Sequence, residues 1–363
     1  MQRNKKKICI VVSSLSGGGA ERSGALLSRL LHESKFEIHV VSVLNEIDFP
    51  FGGKLFNLGE VKDKNDTIFG RIIRLFVFKK YLKKHKFDFI LDSRTRPTFL
   101  KEFILSKFIY NSFKTIYFIR SYNLGLYLGS FKFLSKLIYK NTFKLITVSK
   151  EIQKRIENEY GFDNVMTIYN PVEVNKYNLI SEEKSKSDYK YVLFYGRLED
   201  KTKNISLLLK AYKASELSSN NIKLVILGEG SDKEKLKEFA SSLGVAKDVI
   251  FKPFTSTPNI IIANALYTLL TSHYEGFPRV LIESLSQGTP VISVDCKSGP
   301  KEIIKHKING LLINNYDVNA LSMAMNNFIF DKELYAICKQ NTRKSVAHLS
   351  FDEVAMQWSK LLK

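Results

Sequence analysis

Cysteine is scarce in this chain, with three residues in 363 that lie far apart in sequence. Cys9, Cys296 and Cys338 form no CxxC pair and no cluster with histidine, so we expect neither a disulfide framework nor a zinc site. A reducing compartment fits this cysteine usage best. The sequence also lacks any apolar run of about 18 residues, so no transmembrane helix is predicted. Internal repeats and low-complexity tracts are absent, so a repeat architecture is not expected.

Acidic residues are in short supply. The chain has 36 Asp and Glu against 56 Lys and Arg, a net charge of +20, of which residues 1–172 carry +15 and residues 173–363 carry +5. Such an excess predicts a polyanionic partner, which can be a nucleic acid, an anionic membrane or a phosphorylated substrate. A lysine-rich composition without functional meaning is the alternative. A nucleic-acid-binding protein needs a compact basic face or a known module, and the sequence shows neither, so we expect no nucleic-acid partner.

Composition and pattern predict a folded α/β protein of two domains. Hydrophobic residues make up 44% of the chain and charged residues 25%, which is typical of globular proteins. Short apolar runs alternate with helix-length segments, which favours parallel sheets with crossover helices. The polar segment 173–189 is interpreted as a linker between two Rossmann-like halves. The strand-like runs are 8–12, 38–43, 89–91, 115–119, 145–148, 191–195, 223–227, 249–251, 268–270 and 290–294.

The most specific motif is SHYEGFPRVLIESLSQGTPVIS, at residues 272–293. Pro278 suits the first turn of a helix, and Gly288 suits its C-terminal stop. This places Glu275 just before the helix and Glu283 two turns on, on nearly the same side. The N–H groups at a helix start favour phosphate, and the two carboxylates can bind sugar hydroxyls and a ribose diol. On spacing alone, an ordinary solvated helix capped by Glu275 is an equal alternative.

This segment resembles the E-x7-E block of the family 4 retaining glycosyltransferases, which have the GT-B fold. It matches the pattern EGFxxxxxE at every fixed position. The resemblance implies that Glu275 contacts hydroxyls of the donor sugar and that Glu283 holds the ribose, while the backbone after Glu275 approaches the sugar. The donor-binding residues implied for this block are Glu275, Gly276, Phe277, Pro278, Arg279, Val280 and Glu283.

A second motif, FYGRLEDKTKN at residues 194–204, follows a predicted strand. It resembles the GRL…KN segment of the same family, whose Arg and Lys neutralise the donor diphosphate. These residues correspond to Arg197 and Lys203. A guanidinium offers a fork of donors to phosphate oxygens, and an ammonium adds a mobile point charge. Lys201 competes for the second role, because the loop is one residue longer than the commonest family spacing. The resemblance therefore implies Glu275, Arg197 and Lys203 as catalytic residues, with a solvated charged turn as the alternative.

A glycine cluster, SSLSGGGAERSGALLSRLL at residues 13–31, follows the first predicted strand. Glycines allow close backbone approach, but the cluster is neither GxGxxG nor GK[ST]. A nucleotide-dependent oxidoreductase is therefore disfavoured. The cluster resembles the GGxER loop of the family, which faces the donor phosphate and the acceptor. We expect Gly18 and Gly19 to bind the donor and Arg22 to bind the acceptor, with a plain tight turn as the alternative.

Two supporting segments match the family less specifically. Gly228 and Phe254 lie where family members hold the nucleotide base, largely through backbone groups, and both are predicted to bind the donor. The segment 296–304 resembles an SGPxEI stretch of cell-surface polysaccharide transferases. Both segments are equally compatible with simple strand-to-helix turns.

The chain departs from the family pattern at one histidine. Many members carry His after the fourth strand of the first domain, whereas here that strand ends in YFIRSYNLG and Arg120 occupies the neighbourhood. Arg94 and Arg96, in LDSRTRP, are candidate ligands of an acceptor phosphate, as is Arg120. A solvated loop is the equal alternative for Arg94 and Arg96. His273 is interpreted as structural.

The resemblance covers nearly the whole chain and implies two Rossmann-like domains facing each other across a central cleft. We expect an acceptor domain at 1–172, a nucleotide-sugar domain at 173–345, and a C-terminal helix in 346–363 that packs on the first domain. The D-x-D pair with which GT-A transferases hold a metal is absent, so neither a metal nor a cofactor is expected.

The reaction implied by the resemblance is retaining transfer of a hexose or N-acetylhexosamine, with same-face attack assisted by the departing phosphate. A UDP-sugar is the expected donor and GDP-mannose the runner-up. A non-catalytic nucleotide-sugar-binding protein keeps all of these motifs, so it remains an alternative.

Two basic amphipathic stretches in the first half predict attachment to an anionic membrane surface. Their apolar faces can instead cover a sheet and lie in the core. The family resemblance favours attachment, since members that assemble polysaccharides commonly use polyprenyl-diphosphate-linked acceptors. We therefore expect such an acceptor and a peripheral, cytoplasmic location at the inner face of the cell membrane. The apolar positions are Phe69, Ile72, Ile73 and Phe76, and Phe131, Leu134, Leu137 and Ile138; the basic ones are Lys79, Lys80, Lys83 and Lys84, and Lys132, Lys136 and Lys140.

Overall fold

The computed structural model describes residues 5–129, 131–173 and 188–363. The chain divides into two compact units, Met1–Pro171 with Phe351–Lys363, and Val172–Ser350. Each unit is built on one parallel β-sheet. Most of the predicted linker, residues 174–187, lies outside the described residues.

The first unit has a seven-stranded sheet with the order β3-β2-β1-β4-β5-β6-β7. Its strands are β1 Lys7–Val12, β2 Glu37–Ser42, β3 Lys54–Asn57, β4 Phe89–Asp92, β5 Thr115–Ile119, β6 Lys144–Thr147 and β7 Val165–Thr167. Its helices are α1 Gly19–Glu33, α2 Gly59–Lys64, α3 Ile68–His85, α4 Phe99–Ile104, α5 Gly125–Leu128, α6 Lys132–Tyr139 and α7 Lys150–Tyr160. A π-helical turn, Leu105–Ile109, continues α4, and a 3-10 turn, Ser112–Lys114, precedes β5.

The second unit has a six-stranded sheet with the order β10-β9-β8-β11-β12-β13. Its strands are β8 Lys190–Tyr195, β9 Ile222–Leu227, β10 Val249–Lys252, β11 Thr268–Leu270, β12 Val291–Val294 and β13 Gly310–Ile313. Its helices are α8 Asp200–Lys203, α9 Ile205–Ala214, α10 Lys233–Ser242, α11 Asn259–Asn264, α12 Arg279–Ser286, α13 Pro300–Ile303, α14 Val318–Phe330 and α15 Lys332–Ser345, followed by a 3-10 turn, Ala347–Leu349.

The last helix, α16 Phe351–Leu361, returns to the first unit. Its Val354 and Trp358 are buried in the core that also holds residues of β1, β4 and β5. The Trp358 ring lies 5.6 Å from that of Phe118, measured between centroids. The core on this side of the first sheet is therefore completed by residues from the end of the chain.

Strand order determines which helices share a face of the first sheet. The connections from β3 to β4, from β4 to β5 and from β5 to β6 all advance across the sheet towards β7. The connection from β1 to β2 advances in the opposite direction, towards β3. Because such crossovers are right-handed, α3, α4 and α6 lie on one face and α1 on the other. None of the helices in the described ranges combines the length and hydropathy of a bilayer-spanning segment.

Candidate active site

The family-like motifs of the second unit follow the carboxyl ends of its central strands. Arg197 comes after β8, Gly228 after β9, and Glu275 after β11. Ends of adjacent parallel strands share one edge of the sheet, which is where ligands bind in open α/β sheets. The sheet therefore brings these three motifs to a common edge.

The loops after β8 and β9 pack against each other through glycine. A Cβ on Gly228 would lie 1.9 Å from the carbonyl oxygen of Gly196, and Gly228 has a φ of +152°. The N–H of Leu198 donates to the carbonyl of Glu229 at 2.8 Å, which ties the two loops together. Only glycine fits at position 228. Arg197 lies between Gly196 and Leu198, and it is exposed.

Lys203 and Glu275 form an ion pair across this edge. The Lys203 ammonium donates to Oε1 of Glu275 at 2.6 Å, and the two side chains are 22% and 14% exposed. The hydroxyl of Ser272, which is fully buried, donates to the same oxygen at 2.6 Å. Lys201, the competing lysine, is exposed. The structure thus brings two of the predicted catalytic residues into contact. It also adds Ser272, which lies in the sequence motif but was not predicted as a site residue.

Two hydrogen bonds to backbone carbonyls attach the segment after β11 to the end of α8. The hydroxyl of Thr271 donates to the carbonyl of Lys203, and the N–H of His273 donates to the carbonyl of Thr202, both at 2.9 Å. The ring of His273 lies beside Tyr316, with 3.1 Å between Nδ1 and the phenol oxygen. The two bonds to α8 therefore hold the backbone segments that carry Lys203 and Glu275 next to each other.

Helix α12 carries the second glutamate. The helix begins directly after Pro278 and ends before Gly288, whose φ of +86° suits a helix stop. Arg279 donates to Oε1 of Glu283 at 2.6 Å, and both side chains are about nine-tenths buried, at 10% and 11% exposed. The Tyr195 hydroxyl donates to Glu283 Oε2 at 3.3 Å. Each glutamate of the motif is therefore paired with its own cation.

The turn before α12 is packed against the segment after β12. The Ser298 hydroxyl donates to the carbonyl of Gly276 at 2.8 Å, and Phe277 is buried. Gly299, at φ +102°, lies so close that a Cβ there would be 2.6 Å from Cδ of Pro278. This close packing fixes the N-terminus of α12. At the edge of the same sheet Phe254 follows β10, and its side chain is 49% exposed.

The glycine cluster of the first unit precedes α1 after β1. Gly17 has a φ of +82°, Gly18 is the N-cap of α1, and Gly19 is its first residue. The carbonyl of Gly18 accepts from the N–H of Arg22 at 3.0 Å, and the Arg22 side chain is half-buried. The cluster thus forms the turn that leads from β1 into α1.

Arg94 and Arg96 are buried, so the solvated loop that was the alternative for both residues is wrong. The Arg94 guanidinium donates to Asp92 Oδ1 at 3.0 Å and to Glu102 Oε2 at 3.0 Å. Arg96 donates to the carbonyls of Arg94 and Phe118, both at 2.7 Å, and its side chain has no exposed area. Both guanidiniums are engaged by protein acceptors, which argues against their binding an acceptor phosphate.

Burial and charge act against each other in this cluster. Burial disfavours the charged form of Asp92, but the guanidiniums of Arg94 and Arg96 outweigh it and hold the pKa of Asp92 below its usual value. Burial dominates at Glu102 and raises its pKa despite the nearby Arg94. Neither acid was predicted from the sequence, because no local pattern pairs Glu102 with Arg94, eight positions earlier.

Arg120 follows β5 and is also partnered. Its Nε donates to the Ser93 hydroxyl at 3.0 Å, and a terminal nitrogen donates to Oδ1 of Asn170 at 2.9 Å. The guanidinium carbon lies 4.4 Å from the ring centroid of Phe118. The side chain is half-buried rather than enclosed, so Arg120 stays a candidate for acceptor binding.

Two family models match adjacent parts of the chain. The model "Glycosyltransferase Family 4" matches residues 17–176, and the model "Glycosyl transferases group 1" matches residues 175–345. Together they span residues 17–345, which include every motif described above apart from residues 13–16 of the glycine cluster.

Two curated relatives from Campylobacter jejuni align over almost their full length. One is the N-acetylgalactosamine-N,N'-diacetylbacillosaminyl-diphospho-undecaprenol 4-alpha-N-acetylgalactosaminyltransferase, 26% identical, with 96% of each chain covered. The other is the GalNAc-alpha-(1->4)-GalNAc-alpha-(1->3)-diNAcBac-PP-undecaprenol alpha-1,4-N-acetyl-D-galactosaminyltransferase, 27% identical, with 98% of each chain covered.

The fold is similar to that of a Staphylococcus aureus protein, TarM. A crystal structure of a TarM mutant in complex with Fondaparinux, alpha-GlcNAc-glycerol and UDP superposes with a TM-score of 0.78. The alignment covers 99% of this chain and 100% of that one, at 18% identity.

Proposed function

The chain belongs to glycosyltransferase family 4 and has the GT-B fold, and from this premise we propose that it is a retaining hexosyl- or N-acetylhexosaminyltransferase that uses a UDP-sugar. The observation that carries the proposal is the carboxyl edge of the second sheet, where Lys203 meets Glu275 at 2.6 Å and where the exposed Arg197 follows the central strand β8. Cations and carboxylates at such an edge suit a ligand that combines a diphosphate with sugar hydroxyls.

The donor is proposed to bind along this edge in the order that the family resemblance implies. Arg197 and Lys203 neutralise the diphosphate, Glu275 accepts hydrogen bonds from sugar hydroxyls, and Glu283 accepts them from the ribose diol. The helix N-terminus at Arg279 adds backbone N–H groups. The presence of UDP in the TarM complex supports a uridine nucleotide here, since the two proteins share the fold.

Charge stabilisation is the proposed source of the rate enhancement. As the bond from the sugar to the diphosphate breaks, negative charge grows on the leaving phosphate, and Arg197 and Lys203 are the proposed groups that stabilise it. The acceptor hydroxyl then attacks from the same face, and the departing phosphate takes its proton. Retention of the anomeric configuration follows from this geometry of attack.

Metal-independent catalysis is part of the proposal. Two cations, Arg197 and Lys203, take the role that a divalent ion has elsewhere. Across the described ranges, no three His, Cys, Asp or Glu side chains are grouped as potential metal ligands.

The proposed acceptor is a growing glycan on a polyprenyl diphosphate, bound by the first unit. Support comes from the names of the Campylobacter relatives, which act on diphospho-undecaprenol-linked substrates. An acceptor of this kind places the enzyme at the inner face of the cell membrane as a peripheral protein. Arg22 and Arg120, next to the carboxyl ends of β1 and β5, are the proposed acceptor contacts.

A donor screen tests the proposal. The purified chain is incubated with UDP-hexoses, UDP-N-acetylhexosamines and GDP-mannose, with and without an undecaprenyl-diphosphate glycan, and release of the nucleoside diphosphate is measured. We expect turnover with a UDP-sugar and its loss in Glu275→Ala. The anomeric configuration of the product, read from its proton NMR coupling constant, tests retention. Binding of UDP-sugars without any turnover would instead indicate a non-catalytic nucleotide-sugar-binding protein.

A further inference from the structure

Three neighbouring segments of the first unit share an outer face that is both apolar and basic. They are α3, the continuous segment 99–109 formed by α4 and its π-helical turn, and residues 131–140 around α6. All three lie on the same face of the sheet, because their crossovers run in one direction. Helix α3 packs against the π-helical turn, and α4 packs against α6. We call their continuous outer side the apolar–basic surface.

Large aromatic side chains on this surface point to solvent. Phe69 and Phe76 of α3, Phe108 of the π-helical turn, and Phe131 and Phe133 at α6 are between 62% and 77% exposed. Exposed apolar residues scattered singly are ordinary, but a cluster on adjacent helices marks an interaction site.

The exposure of α3 decides between the two interpretations of its amphipathic pattern. A helix that covered the sheet with this face would bury Phe69, Ile72, Ile73 and Phe76, and all four are exposed. The pattern at α6 is partly different from the expected one. Ile138 is buried against the core, whereas Phe133 is exposed and takes its place on the outer side.

The three segments carry many basic residues and few acids, although Asp66, just before α3, is paired with Arg71 and Arg74. The sequence has six Lys and Arg in α3, two in segment 99–109 and two in α6, against a single acid, Glu102, which is buried. Lys80, Lys83 and Lys84 on α3, with Lys132 and Lys136 on α6, are exposed. Aromatic side chains are thus surrounded by positive charge.

We propose that the apolar–basic surface docks on an anionic lipid bilayer, with its aromatic side chains inserted at the interface and its lysines on the head groups. This combination is what interfacial helices use. A second copy of the chain is a poorer occupant, because two such faces would bring like charges together and lysine is depleted at the centres of protein interfaces. The inference deepens the proposed function, on whose lipid-linked acceptor it rests.

Vesicle co-sedimentation tests the charge component. Full-length protein is mixed with phosphatidylglycerol–phosphatidylcholine vesicles or with pure phosphatidylcholine vesicles, at low and at high salt. We expect wild type to bind the anionic vesicles, with affinity falling as salt rises. The triple variant Lys132→Glu, Lys136→Glu, Lys140→Glu should bind at least tenfold more weakly.

A matched control has the same change of charge on the second unit. Lys332, Lys339 and Lys344 of α15 are exposed, and their replacement by Glu changes the net charge by the same amount. This control should bind vesicles more tightly than the first triple variant. Equal loss in both variants would show that net charge alone matters and would overturn the assignment of the surface.

Insertion is tested with a fluorescent residue. Trp358 is buried, so a tryptophan introduced by Phe133→Trp reports on the surface, and Phe330→Trp on α14 is the matched control because Phe330 is 52% exposed. Brominated acyl chains should quench the first and not the second. Absence of quenching at position 133, or a dimer in sedimentation velocity that is lost in Phe69→Ser/Phe76→Ser, would refute the proposal.

UDP calorimetry distinguishes failure of the docking surface from failure of the proposed function. The surface variants should bind UDP as wild type does, because the changed residues lie outside the second unit. A protein that binds UDP but not vesicles contradicts the docking surface alone, whereas a protein that binds vesicles but no nucleotide contradicts the proposed function alone.

Discussion

Replacing Glu275 by glutamine is expected to tighten the binding of free UDP while it lowers sugar transfer. The Lys203 ammonium is held by Glu275 at 2.6 Å, so a diphosphate that binds Lys203 competes with this carboxylate. Glutamine keeps the shape of the side chain and an oxygen for the Ser272 hydroxyl, but it carries no charge. Lys203 is then available to the diphosphate, while the sugar loses its carboxylate contact.

The size of the effect follows from the exposure of the pair. A hydrogen bond to a charged group contributes about 1.5–3 kcal/mol. Lys203 and Glu275 are 22% and 14% exposed, so solvent offsets part of this value, and the amide oxygen of glutamine still accepts a weaker bond. The net gain in UDP affinity is expected to be about 1 kcal/mol, or about fivefold.

Calorimetry with free UDP, at low and at high salt, is the assay. Removing a negative charge also reduces plain repulsion of the diphosphate, and a double-mutant cycle with Lys203→Met separates the two causes. The tightening should largely disappear on the Lys203→Met background. If Glu275→Gln leaves UDP affinity unchanged or lowers it, or if the full gain persists without Lys203, the exchange of partners does not occur.

Three further outcomes are expected. Glu283→Ala should weaken UDP binding about tenfold because the ribose loses its hydrogen-bond acceptor, whereas Glu275→Ala, which also releases Lys203, should bind UDP at least as tightly as wild type and lose turnover; equal behaviour of the two variants would contradict their separate roles. Transfer should persist in EDTA, and a complete loss that magnesium or manganese restores would disprove neutralisation by protein cations. Arg94→Leu should lower the free energy of unfolding by about 3–5 kcal/mol in denaturant melts, because Asp92 and Glu102 lose a buried cation; an unchanged stability would return Arg94 to the list of ligand-binding candidates.

The strands show how far the sequence predicts the fold. All ten predicted strands are present, within one residue of their predicted bounds, because buried parallel strands have nearly continuous apolar runs. The three strands that were not predicted, β3, β7 and β13, all lie at sheet edges. An edge strand pairs on one side only and can be partly exposed, which weakens its apolar signal, although β10 also lies at an edge and was predicted. Strand β3, for example, has the sequence KLFN and is partly exposed.

The site was predictable where its chemistry is local and not where it depends on distant partners. The bounds of α12 follow from Pro278 and Gly288, which are adjacent to the glutamates in sequence. By contrast, LDSRTRP has the composition of a solvated loop, and its arginines are buried because Asp92 and Glu102 come together only in the folded unit. Long-range pairing of this kind leaves no periodic signal in the sequence.

The return of α16 to the first unit has a consequence for biosynthesis. Residues 1–171 are synthesised long before residues 351–363. The core of the first unit therefore lacks Val354 and Trp358 until the whole second unit has been synthesised. Domains made early usually fold first, but here the second unit is the one with an uninterrupted stretch of chain. A released chain truncated after residue 350 should therefore contain a protease-resistant second unit and a first unit that is cleaved readily.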